Sequence, residues 1–199
     1  MFFSNKFLNR IILSFALLVS LSFSSKQNSN SYDRATFIAD FKEASLLVRL
    51  QDKSLSIKTL EERGLLKEAE QMRQVQYQEN REILLSFKQT FDFCPVLFFY
   101  SSSSDSIRKG HYEGLLFNSE QERVSLQTSK VFIAEFSETE ELGIDGLIVK
   151  DHQMLPLPEH LPYFERRYVL LGLIERSKAR MVEAYNHKLQ EYWRMQSKN

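Results

Sequence analysis

The sequence predicts an α+β fold: a small mixed β-sheet of about four strands, packed against an N-terminal antiparallel helical hairpin and a long C-terminal helix. Three observations carry this expectation. All four prolines and four of the six glycines lie between Pro95 and Pro162, while residues 26–94 and 163–199 hold no proline and one glycine each, Gly64 and Gly172. Proline and glycine punctuate turns and interrupt helices, so a turn-rich centre is flanked by helical segments. Apolar residues in the flanks recur at three- and four-residue spacing, and those in the centre form short continuous runs like buried strands.

Residues 1–25 stand apart from this domain. Lys6 and Arg10 precede an apolar stretch, Ile11 to Phe23, broken only by small serines, and Ser22-Phe23-Ser24 supplies small residues at the cleavage-reading positions. That pattern predicts a secretory signal peptide and a mature chain beginning near Ser25 or Lys26. The expected location is the periplasm or cell envelope, or outside the cell. The apolar run is shorter than the roughly 20 residues of a membrane span. An uncleaved anchor is the alternative reading, and no stable membrane span is expected once the signal is removed. No cysteine follows the apolar run to accept a lipid, and the lone Cys94 has no partner for an internal disulfide.

Residues 26–199 are read as one α+β domain in three parts: a helical hairpin over 26–92, a sheet region over 93–162 and a helix over 163–199. Apolar residues make up 43% of the 199-residue chain and charged residues 26%, near globular averages. The formal net charge is zero, which gives no electrostatic reason to expect nucleic acid. Charge is nonetheless divided. Residues 93–162 carry 5 basic and 11 acidic side chains, and residues 163–199 carry 8 basic and 4 acidic ones. Attraction between an acidic middle and a basic tail follows as an expectation.

Taken in order, Phe37, Phe41, Ala44, Leu47 and Val48 lie on one helical face, which Leu55, Ile57 and Leu60 continue less regularly. Gly64 stops this first helix, because glycine accepts the left-handed conformation. Leu65, Ala69, Met72, Ile83 and Phe87 form a second stripe, weakened where Gln76, Glu79 and Asn80 replace apolar residues. Heptads are not sustained, so a hairpin folded on its own sheet is preferred to a coiled coil, with a protein partner on the hairpin as the functional alternative. Val96–Tyr100 is the first expected strand, followed by Tyr112–Phe117, Val131–Phe136 and Gly146–Lys150. A helix beginning near Tyr163 then carries Leu170, Leu173, Ile174, Met181, Ala184, Tyr185, Leu189 and Tyr192 on one stripe. Arg166, Arg167, Arg176, Lys178 and Arg180 flank that stripe as on a membrane-surface helix, but interspersed glutamates favour packing on the acidic middle.

The candidate chemistry is sparse. Cys94 sits at the amino end of a strand, whereas ligands bind at carboxyl ends, so a core role is expected. Ser101, Ser102, Ser103, Ser104 and Asp105 leave the carboxyl end of Val96–Tyr100 and are the candidate ligand-binding residues. Ser104 or Asp105 is the expected N-cap of a short helix there. The loop lacks the glycines of a phosphate-binding motif and the G-x-S-x-G of a serine hydrolase. No catalytic residue, metal site or cofactor is assigned. His111, His152, His160 and His187 form no ligand pair on one helix face, and Glu135 to Asp145 lacks calcium-loop spacing.

Over about a quarter of the chain, VLFFYSSSSDSIRK and KVFIAEFSETEELGIDGLIVKDHQM resemble the thioredoxin-like order of strand, active loop, strand, glycine-bearing turn and hairpin. Where that family has a cysteine pair this chain has serines, Asp105 and Arg108, and Gly146 runs into Leu147 without the family's proline. The resemblance therefore implies a shared fold without redox activity. The sequence favours an exported non-enzymatic protein that binds a partner or ligand; the alternative is a small hydrolase or ligand-binding enzyme centred on Ser101–Asp105.

Overall fold

A computed structural model describes residues 33–170 and 172–196. The expected signal peptide lies outside them. The described chain is an α+β domain in which helices α1 (Arg34–Glu43), α2 (Ser54–Glu62), α3 (Leu66–Thr90), α4 (Ser104–Arg108) and α5 (Lys178–Gln196) surround a mixed sheet. The sheet's strands are β1 (Ser45–Leu50), β2 (Val96–Tyr100), β3 (Val131–Glu138), β4 (Asp145–Lys150) and β5 (Phe164–Arg166), and a hairpin of β6 (Tyr168–Val169) and β7 (Ile174–Glu175) follows β5.

The sheet order is β2-β1-β3-β4-β5. β1 lies parallel to both β2 and β3, whereas β3–β4 and β4–β5 are antiparallel. Residue alternation divides the core between the two faces. Leu46, Val48, Leu50, Phe98, Phe132, Ala134, Leu147 and Val149 face α1, α3 and α5. Leu47, Phe99, Val131 and Ile133 face Ile107 of α4 and Leu116 of the following loop. On the first face Phe41 stacks on Phe132 with ring centroids 4.5 Å apart and meets Tyr185 of α5 edge-on at 6.2 Å. Aromatic pairs in these geometries add to the area they bury.

Several expectations required correction. Residues 45–50 form the central strand rather than the end of a first helix. SLLVRL is a short apolar run that fits either period, and two parallel partners settle it as a strand buried on both faces. The helical hairpin survives in a later register. α2 ends in a Schellman motif, where Gly64 (φ +76°) directs its N–H to Glu61 O at 2.9 Å and Leu65 N bonds Leu60 O at 2.9 Å. Tyr112–Phe117 is not a strand: only Phe117 bridges Phe98 and Arg123.

The C-terminal helix begins at Lys178, not near Tyr163. Phe164–Arg166 instead extends the sheet beside β4, and the chain then turns through Leu170 (φ +49°) and Gly172 (φ +88°). The buried stripe of α5 is Met181, Val182, Tyr185 and Leu189, whereas Leu170, Leu173 and Ile174 are exposed. Nor does the basic tail pair mainly with the acidic middle. Arg167 reaches Asp145, but Lys178 pairs with Glu82 of α3, and Arg176 and Lys188 hold Glu165.

Cys94 is buried just before β2, as expected, and burial pushes its thiol pKa up to about 12. Thiol reagents react with the thiolate. Cys94 is therefore expected to label slowly in the native protein and quickly after unfolding in urea, as read by a chromogenic disulfide. Labelling at the rate of a free thiol without denaturant would contradict the burial.

Candidate functional site

Because β1, β2 and β3 run parallel, their carboxyl ends open on one edge, the place where open sheets bind ligands. Two loops meet there: residues 51–53 after β1, and the serine run after β2. The first is fastened from below by α3. Asn80, buried, accepts from Gln51 N at 2.9 Å through Oδ1 and donates to Gln51 O at 2.8 Å through Nδ2. Gln76 Oε1 accepts from Lys53 N at 2.5 Å, and Glu79 pairs with the Lys53 ammonium at 3.4 Å. These are the polar residues that interrupt the apolar stripe of α3. Their position marks where the helix passes under a loop and satisfies backbone groups that no strand reaches.

The serine run fastens the same loop from the side. Ser101 Oγ accepts from Asp52 N at 2.9 Å. The Ser102 hydroxyl is the main influence holding the Asp52 carboxyl below its ordinary pKa, ahead of the opposing effect of burial and the bonds from Ser54. Ser104 Oγ donates to Ser101 O at 2.7 Å and accepts from Arg49 Nε at 3.0 Å. Ser103 is half-buried in the single 3-10 turn of Ser101–Ser103 and precedes α4 without a side-chain capping bond. Ser104 is already helical, so the expected capping by Ser104 or Asp105 does not occur. Asp105 is exposed and accepts from Arg108 at 2.6 Å.

Below the loops, on the face of Leu47 and Ile133, lies an ionic cluster that sequence reasoning missed. The carboxylate of Glu135 on β3 is buried between Arg49 of β1 and Lys150 of β4, each at 3.0 Å, and Glu140 reaches Lys150 at 3.7 Å. An arginine inside an otherwise apolar strand was the available signal, since such a residue needs a partner on a neighbouring strand. The structure thus brings Ser101, Ser102 and Ser104 into one network with Asp52 and Arg49, and leaves Asp105 outside it. Two open clefts lie elsewhere, one between the β6–β7 hairpin and α5 and one at the amino ends of β1 and β2. Among the described residues, no three His, Cys, Asp or Glu side chains are placed to hold a metal ion.

The two segments carrying the thioredoxin-like resemblance are not neighbours in the sheet, because β1 separates β2 from β3. The strand that lies parallel beside β3 is β1, and the loop after it is residues 51–53, Gln-Asp-Lys; neither contains a cysteine. Comparisons with family models, curated proteins and solved structures found no match for the chain.

Asn80 gives the site its clearest single test. Asn80→Ala removes both bonds to the N–H and C=O of Gln51, which is half-buried, at about 1–3 kcal/mol in all, since water reaches part of the site. Urea denaturation is expected to show a lower midpoint of that size. Limited proteolysis is expected to cut near Gln51–Lys53, and an uncut loop would mean that Asn80 does not hold it.

Proposed function

We propose that this chain is an exported protein that acts by binding a partner rather than by transforming a substrate. The observation that carries the binding reading is the β6–β7 hairpin. Tyr168, Leu170, Leu173 and Ile174 are all exposed there, four large apolar side chains within seven residues of chain. Contiguous apolar surface of this kind marks interaction sites. The hairpin is built to hold that surface in place: Arg167 bridges Asp145 at 2.9 Å and Glu175 at 2.6 Å.

The rival reading, a hydrolase or ligand-binding enzyme on Ser101–Asp105, draws less support. The hydroxyls of Ser101, Ser102 and Ser104 serve bonds that shape the two loops. The helical hairpin remains a second surface, because Leu55 and Leu66 are exposed on it. A photo-crosslinking residue at position 173 or position 66 of the full chain, introduced in living cells, separates the surfaces. Adducts from position 173 and none from position 66 are expected. The reverse result moves the site to the helical hairpin, and silence at both positions overturns the binding reading.

Export is tested separately. The chain recovered from the envelope or external fraction is expected to begin near Ser25 or Lys26 by mass spectrometry. Only full-length chain, found only in the cytoplasm, would overturn it. Among the described residues, no helix is long and apolar enough to cross a membrane.

A further inference from the structure

We draw no further inference here: the strongest candidate, the cleft between the β6–β7 hairpin and α5 with the exposed Ile174 on its wall, carries nothing, because its cations Arg176, Arg180 and Lys188 are already paired with the carboxylates of Glu165 and Glu183 and nothing in the structure shows what covers its apolar side.

Discussion

Gly146→Ala is expected to lower stability by about 3 kcal/mol or more, the upper range for forcing extra atoms into a packed site. Gly146 lies in β4 opposite Arg166 of β5 and beside Phe164, whose ring folds across it. A Cβ at this position would sit 2.3 Å from the backbone oxygen of Glu165 and 2.5 Å from the Phe164 ring. A flexible side chain could move aside, but a backbone oxygen in a sheet cannot move without breaking the ladder. At roughly 2–4 °C per kcal/mol for a domain of this size, the melting temperature is expected to fall by about 6–12 °C. Gly110→Ala is the control. Gly110 has φ +78° with open space around it, so alanine meets conformational strain and no collision. Its cost is expected near 1 kcal/mol. Equal effects of the two substitutions, or a Gly146→Ala protein as stable as the parent, would contradict the packing described. The damage is also expected to spread, since Arg167 N bonds Asp145 O at 2.8 Å and that contact seats the following hairpin.

Glu135→Ala is expected to cost about 3–5 kcal/mol, the range for removing one partner of a buried ion pair. The carboxylate stands between two cations, so its loss leaves Arg49 and Lys150 facing each other under a partly dry surface. The full cluster need not stabilise the fold by that amount, because burying three charges has its own desolvation cost. The triple substitution Arg49→Met, Glu135→Leu, Lys150→Met is accordingly expected to recover most of the loss. Urea unfolding of the four proteins (parent, Glu135→Ala, Glu135→Gln and triple) tests this. Glu135→Gln keeps the shape without the charge and belongs between parent and alanine. A Glu135→Ala midpoint within error of the parent would mean that the cations find water easily and the cluster is not buried in solution.

Parts of this architecture were legible in the sequence for plain reasons. Val96–Tyr100, Val131–Phe136 and Gly146–Lys150 are apolar runs bounded by turn residues, and all three form strands. Gly64 stops a helix in the conformation only glycine enters freely. The central strand was hidden because Ala44, Leu47 and Val48 follow Phe37 and Phe41 at helical spacing. Only the partners at 96–100 and 131–134 decide between the periods, and no local pattern contains them. Leu170, Leu173 and Ile174 misled in the opposite way, since their helical spacing reflects no buried face at all. At the candidate site the serine run was correctly placed at a strand's carboxyl end. Its bonds to Asp52 and Arg49 were invisible, because those residues belong to a strand and loop that had been read as helix.

The position of β1 between β2 and β3 also governs how the chain reaches this state. Leu46 takes partners at Val96 and at Phe132, so the first strand made is the one whose pairing must wait longest. The local elements, the α2–α3 hairpin and the β3–β4 hairpin, can form early. Closing the sheet around β1 requires loops of high sequence separation, and such topologies fold slowly. The core is then sealed by α5, whose Met181, Val182, Tyr185 and Leu189 arrive last from an N-to-C synthesis. Until then the sheet face that carries Leu46, Val48 and Leu50 lacks the part of its core that α5 supplies.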